Sequence, residues 1–304
     1  VTTSPPAALP ADWPHREASR RLAAGGFDWH VQCFAPPRTG APVVWLLHGS
    51  GASAHSFADV VPHLAPHAAV VVPDLPGHGF TRAEAGRAAR YSLPAVAAAL
   101  QALGRALHPG FGAAAPALLA GHSAGAALAL RWALDHPRRG DAPPAPAVLG
   151  LNPSLVAPPA AYTTFVAPLL HPLFTSGPAA SFFAATAGVG GMVDRLLAST
   201  RSAVPTAQRA RYRRLFGRVE HVQGTLAFMA AADLPALTAE GPRLASPLTF
   251  VVGEDDDWVP PRRLDPVIAR AFPQATVLRR RGGHLMHEAE PAWAAGLIRS
   301  LLPA

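Results

Sequence analysis

The sequence predicts an α/β fold, a mostly parallel central sheet flanked by helices with a helical cap inserted late in the chain. Three observations point there. Short apolar segments alternate with longer alanine-rich stretches, the pattern of buried parallel strands joined by covering helices. Gly121-His122-Ser123-Ala124-Gly125 lies between the apolar run Ala117 to Ala120 and a helix-forming stretch from Ala126, so a sharp strand-turn-helix is expected there. A gap from about Asn152 to Ser246 separates two strand-like runs and is too long for one crossover helix, which assigns 152–246 to the cap and 1–151 with 247–304 to the core.

In chain order, strands are expected near Trp29 to Phe34, Val43 to Leu47, Ala69 to Val72, Ala117 to Ala120, Ala147 to Leu151, Leu248 to Val252 and Thr276 to Arg279, each a run of β-branched or apolar residues bounded by Gly, Pro or polar residues. Helices are expected over Ser56 to Leu64, Leu93 to Leu107, Ala124 to Asp135, Pro261 to Ala271 and Pro291 to Leu302, where alanine and leucine dominate. The cap divides by chemistry. Residues 142–193 carry no charged side chain and include Tyr162, Phe165, Leu169, Leu170, Leu173, Phe174, Phe182 and Phe183, whereas Arg195, Arg201, Arg209, Arg211, Arg213, Arg214 and Arg218 follow without an acidic residue between 195 and 218. An apolar wall beside a cationic one suits an amphiphilic ligand, with Tyr162, Phe165, Phe174 and Phe182 as its candidate contacts. The same aromatics would equally serve as the cap's own core.

Composition narrows the class. A chain of 304 residues buries about three quarters of its unfolded surface, enough for one large domain with an insertion. The uncharged stretch 142–193 is broken by Pro143, Pro144, Pro146, Pro153, Pro158, Pro159, Pro168, Pro172 and Pro178, so no apolar helix of about 20 residues is expected to span a membrane. Val1 to Pro6 has neither a basic start nor an apolar run, which predicts no signal peptide and a cytoplasmic location. The single Cys33 allows no internal disulfide, in keeping with a reducing compartment. All 26 basic residues are arginine and the formal net charge is +7. The 195–218 cluster makes a local positive field fit for a carboxylated substrate, an acidic protein or an anionic membrane surface, or simply a solvated helix face. No nucleic-acid-binding motif accompanies it. His63 and His67 have helical spacing, but Pro62 and Pro66 disrupt it. With no HExxH motif, P-loop or dinucleotide fingerprint, neither a metal nor a cofactor is expected.

The chemistry concentrates at strand ends. A turn as sharp as the one at Ser123 brings helix and strand too close for side chains at positions two before and two after, hence Gly121 and Gly125. Ser123 is the candidate nucleophile, and the Ala124 N–H at the helix start is a candidate oxyanion donor. Val43 to Leu47 runs into His48-Gly49-Ser50-Gly51, which offers the Ser50 N–H as the second donor. Gly49 and His122 adjoin these groups and count as candidate substrate contacts. Downstream, Gly253-Glu254-Asp255-Asp256-Asp257 places carboxylates after one strand, and Gly282-Gly283-His284 places a histidine after the next. The order serine, aspartate, histidine is that of the α/β-hydrolase fold, with His284 as general base and one of Asp255, Asp256 and Asp257 as the triad acid.

Four segments carry a closer likeness: Leu46 to Ser53, Pro73 to Thr81 (Pro-Asp-Leu-Pro-Gly-His-Gly-Phe-Thr), Gly121 to Ala127, and Leu151-Asn152-Pro153-Ser154-Leu155. Together with Asp12-Trp13-Pro14-His15 and Glu220-His221-Val222, they resemble the magnesium-chelatase accessory α/β-hydrolases of bacteriochlorophyll biosynthesis over nearly the whole chain. The resemblance implies a cytoplasmic or membrane-peripheral protein of magnesium-tetrapyrrole metabolism, with a tetrapyrrole as ligand and magnesium-chelatase subunits as candidate partners. It does not imply a particular reaction. Its Gly-x-x-Asp-x-x-Val-Pro pattern falls on Gly253, Asp256, Val259 and Pro260 and so selects Asp256 as the acid. Three functions follow as expectations: an esterase-like serine hydrolase of pigment metabolism, a non-catalytic porphyrin carrier for the chelatase, or a carboxylesterase unrelated to pigment. Serine at 123 argues against a dehalogenase, which needs an aspartate nucleophile.

Overall fold

A computed structural model describes residues 9–84, 86, 90–111, 116–136, 144–156 and 191–303. The strands are β1 (Ser19–Ala24), β2 (Phe27–Phe34), β3 (Val43–Leu47), β4 (Ala69–Pro73), β5 (Arg82–Ala83), β6 (Leu118–His122), β7 (Ala147–Leu151), β8 (Leu248–Gly253) and β9 (Thr276–Arg280). They form one sheet in the order β1-β2-β4-β3-β6-β7-β8-β9, with β5 on β2. Pairing is antiparallel at β1·β2, β2·β4 and β2·β5 and parallel from β4 to β9. The parallel strands β3, β4, β6 and β8 are buried at every residue, which is why they read as continuous apolar runs rather than alternating ones.

Helices cover both faces: α1 (Val61–Leu64), α2 (Leu93–Phe111), α3 (Ala124–Leu134), α4 (Met192–Ser199), α5 (Thr206–Phe216), α6 (Val219–Ala231), α7 (Leu234–Glu240), α8 (Pro261–Ala271), α9 (Met286–Ala289) and α10 (Pro291–Ser300). The strand period of two divides the core. Val43, Trp45 and Leu47 join Ala69, Val71, Phe250 and the inner faces of α2, α3 and α8. Val44 and Leu46 join Val70, Val72, Val251 and residues of α1 and α10 on the other side.

Two differences from expectation have local causes. Ser19–Ala24 forms a hairpin with β2 across Gly25 and Gly26, both at positive φ, although Arg20 and Arg21 mask its strand pattern. The expected helix from Ser56 to Leu64 is two pieces, a 3-10 turn over Ala54–Phe57 and the single turn α1, which opens around Pro62; a proline fits the first turn of a helix but not its interior.

Between β7 and β8, α4 to α6 meet the loops that follow β3, β4 and β9. Val193, Leu197, Val204 and Tyr212 pack with Ala52 and Leu285, and Leu215 packs with Leu9, Trp13 and Phe80. α7 instead lies with the helices flanking the sheet: Leu237 belongs to the main core, and Glu240 pairs with Arg131 of α3 at 2.7 Å. Among the described residues no helix is long and apolar enough to cross a membrane.

Candidate active site

Ser123 links β6 to α3 with φ 52° and ψ −114°. Such a backbone is strained for a residue with a side chain, and close packing imposes it. A Cβ on Gly121 would stand 2.4 Å from the Ala126 nitrogen, and one on Gly125 would stand 2.1 Å from the Leu47 carbonyl oxygen. Both neighbours are backbone, one in the helix and one in the central strand, so neither can yield. Gly125→Ala is expected to cost about 3 kcal/mol, read as a lower urea midpoint at unchanged slope; a loss under about 1 kcal/mol would contradict close packing at the elbow.

The three neighbouring aspartates have separate fates. Asp255 accepts from the Gly282 N–H at 3.0 Å, and Asp257 pairs at the surface with Arg201. Asp256 is 2 % exposed. Its Oδ1 accepts from the Trp258 and Val259 N–H groups at 2.8 and 3.0 Å, and its Oδ2 meets His284 Nδ1 at 2.7 Å. A carboxylate oxygen only accepts in this pair, so Nδ1 carries a proton and Nε2 is the nitrogen left facing away from Asp256. The Trp258 ring lies over His284 at 5.5 Å, inclined 23°. The His284 N–H donates to Thr200 O at 2.8 Å, and the Leu285 N–H donates to Ser202 Oγ at 2.8 Å, so the residues after α4 hold the histidine loop.

The loop also approaches the serine. His122 Nε2–H donates to His284 O at 2.9 Å. Asn152, which follows β7, donates through Nδ2 to the carbonyls of Gly283 and His284 at 3.0 and 2.9 Å and accepts from the Gly253 N–H at 2.7 Å. Sequence reasoning gave Asn152 no role; its φ of 45° marks a turn that an Asn tolerates well. Among the described residues Ser123 Oγ makes no hydrogen bond within 3.5 Å, so it is free to turn towards a reacting carbonyl. A serine–histidine hydrogen bond is commonly looser in free enzymes than in substrate complexes.

The loop after β3 lies against the elbow, since a Cβ on Gly49 would stand 2.7 Å from His122 Nδ1 and 3.2 Å from Ser123 Cβ. His48 explains its conformation. Leu75 N–H donates to His48 Nε2 at 2.9 Å, so Nδ1 holds the proton and donates to Gly49 O at 2.8 Å. Burial pushes His48 down to about 4, against the pull of Asp74, which keeps this neutral tautomer in place near neutrality. In a trans peptide the N–H opposes the C=O, so drawing the Gly49 carbonyl to His48 turns the Ser50 N–H away from it. Asp74 braces the neighbouring loop, with Oδ1 accepting from Ala54 N–H at 2.7 Å and Oδ2 from Phe80 N–H at 2.7 Å, beside His30 Nδ1 at 2.8 Å.

Tyr162, Phe165, Phe174 and Phe182 lie outside the described residues. Within the arginine cluster, Arg213 pairs with Asp194 at 2.7 Å and Arg214 with Asp12 at 2.6 Å, while Arg218 stacks over Phe80 at 4.8 Å. Much of the positive field thus serves the protein's own acids and rings. Among the described residues no group of three or more His, Cys, Asp or Glu side chains could hold a metal. A buried polar cluster adjoins the site: Glu288 Oε1 accepts from Tyr212 OH at 2.6 Å and from Ser56 Oγ, while His287 Nε2 meets Ser56 Oγ at 2.8 Å. Burial raises Glu288 to about 7.

Residues 42–291 match the family described as the alpha/beta hydrolase fold. The chain is 38% identical over 298 residues to the magnesium-chelatase 30 kDa subunit of Rhodobacter capsulatus, covering 96% of this chain and 97% of that protein. Among solved structures it resembles the enol-lactonase from Burkholderia xenovorans LB400 (TM-score 0.70, 18% identity, 93% of this chain and 99% of that one). It also resembles a thermophilic esterase from Thermogutta terrifontis (TM-score 0.67, 18% identity, 92% and 97%). At these identities the two structures speak for the fold alone.

Proposed function

Because this chain belongs to the α/β hydrolase fold family, we propose that it is a serine hydrolase of magnesium-tetrapyrrole metabolism, cleaving an ester on a pigment or pigment precursor as an accessory to magnesium chelatase. The buried Asp256–His284 pair, joined through the His284 carbonyl to His122 next to the strained Ser123, carries the catalytic part of this reading. The likeness to the chelatase subunit carries the pigment part.

In the proposed reaction Ser123 Oγ attacks the ester carbonyl carbon while its proton passes to His284 Nε2. The carbonyl π electrons move to oxygen, and the Ser50 and Ala124 N–H groups stabilise that oxyanion. Collapse breaks the bond to the alcohol, which leaves with the proton from His284. Water, deprotonated by the same imidazole, then cleaves the acyl-serine to give the acid. Asp256 holds the imidazole in the tautomer this requires and stabilises the imidazolium. No cofactor enters. Gly49 and His122 border the reacting carbonyl, and the apolar residues Tyr162, Phe165, Phe174 and Phe182 receive the body of the substrate. The insertion from 152 to 246, apart from α7, serves as the cap, and chelatase subunits and an anionic membrane surface are the proposed contacts of the whole.

The relative's name as a chelatase subunit favours a second reading, a porphyrin carrier without turnover. Mixing the protein with protoporphyrin, its magnesium complex and a phytylated pigment, while following pigment fluorescence and product by chromatography, separates the two. The hydrolase reading expects an acid product that disappears in Ser123→Ala. Tight binding unaffected by that exchange, with no product from either protein, would establish the carrier instead.

A further inference from the structure

We propose that His221, on the inserted helix α6, is a positioning residue that holds the oxyanion loop in its working shape. The inference rests on the serine-hydrolase reading and extends it to a residue far from Ser123 in sequence.

His221 is fully buried. The Gly79 N–H donates to its Nδ1 at 3.0 Å, so the ring proton sits on Nε2, which donates to Gly51 O at 3.2 Å. The tautomer follows from the first bond, and the second reaches the loop that bears Ser50. That loop is gripped at both ends. His48, from the core, holds the carbonyl before Ser50, and His221, from the insertion, holds the carbonyl after it. Gly51 has φ +79°, and a Cβ there would stand 3.1 Å from Phe216 Cζ, so α5 closes over the same turn.

The helix carrying His221 is fixed by direct backbone contact. A Cβ on Gly224 would stand 2.1 Å from the Gly77 carbonyl oxygen, which seats α6 against the loop after β4 without intervening side chains. Burial pushes His221 down to about 3, so the imidazole is neutral at physiological pH and retains the lone pair that Gly79 needs. A positive ring would lose that bond. This part of the insertion is therefore a fixed brace that completes the catalytic loop, and the loop's geometry depends on the insertion being docked.

The test separates the two ring nitrogens. Glutamine at 221 can set its amide N–H near Gly51 O, whereas asparagine can offer only an oxygen near the Gly79 N–H. On a p-nitrophenyl ester, His221→Asn is expected to lower kcat by about 10- to 100-fold with KM within about threefold, below the loss of a whole oxyanion donor. His221→Gln is expected to recover most of that kcat. Hydrogen exchange of the peptide covering 48–54 reads the loop without any catalysis: exchange should be about tenfold faster in the Asn variant and near wild type in the Gln variant. Equal kcat and exchange in both variants and wild type would overturn the proposal, as would a shared fall in thermal stability with no change in either. A wild-type protein that hydrolyses no ester but shows the exchange pattern would retain the brace while refuting the hydrolase reading.

Discussion

Asp256→Asn will lower turnover of an ester substrate by about 10⁴-fold, whereas Asp257→Asn will leave it within about twofold. The contrast follows from where two adjacent, identical side chains point. Asp256 is buried with both oxygens engaged, Oδ2 on His284 Nδ1 and Oδ1 on two backbone N–H groups. Asparagine fits the space, but its amide would present N–H to one of these donors and release His284 from the tautomer in which Nε2 is basic. Loss of the correct tautomer with little change of geometry costs about 10⁴ in a serine-histidine-aspartate site. Asp257 only pairs with Arg201 at the surface, where such a pair contributes little. Steady-state rates, with thermal unfolding as a control for folding, check both variants. Equal losses at the two positions would show that the loop as a whole, and not a particular carboxylate, supports the histidine.

Acid will unfold this protein at an unusually mild pH, its stability falling progressively as pH drops below about 6.5. Six histidines, His48, His55, His78, His122, His221 and His287, are buried, and burial lowers each below its ordinary value. The folded chain keeps them neutral while the unfolded chain protonates them below about 6.5. The unfolded state therefore binds more protons, and stability falls as pH drops from 6.5 towards the folded values. Glu288 acts the other way. Its value, raised to about 7 from 4.5, leaves the folded state with one extra proton in that window, so its contribution is largest in acid and is lost as pH rises through 7. His48, His221 and His287, held down to about 4, 3 and 3 by burial, already outnumber the single opposing proton of Glu288, so the net slope destabilises the fold in acid. Far-ultraviolet circular dichroism across pH 7 to 4 checks this. A fold intact at pH 4 would mean that these rings find partners for their charged form.

Much of this architecture was legible because buried parallel strands need continuous apolar runs. Val43–Leu47 and Ala147–Leu151 match their expected ends residue for residue, as does the helix Pro261–Ala271, which opens on a proline suited to a helix start. β1 shows no apolar run because the half-buried Arg20 and Arg21 interrupt it; the Gly25-Gly26 pair that turns the hairpin was the available signal. Ser123, His284 and the aspartate loop could be found from spacing, since each follows a strand. Spacing could not rank Asp255, Asp256 and Asp257. A one-residue step rotates a side chain from solvent to core; the family pattern pointed to Asp256, and the fold places that carboxylate inward, on His284. His48 grips the adjacent Gly49 carbonyl and the distant Leu75 N–H, while Asn152 and His221 grip groups of loops far away in sequence, and spacing alone signals none of these contacts.

An activated nucleophile at Ser123 would react covalently with an active-site-directed phosphonate. Incubating the protein with a fluorophosphonate at neutral pH, and locating the adduct by peptide mass, tests it without knowledge of the natural substrate. Labelling is expected to be stoichiometric and confined to Ser123, absent in Ser123→Ala and slowed strongly in Asp256→Asn. A folded wild-type protein that remains unlabelled, or is labelled elsewhere, would contradict it.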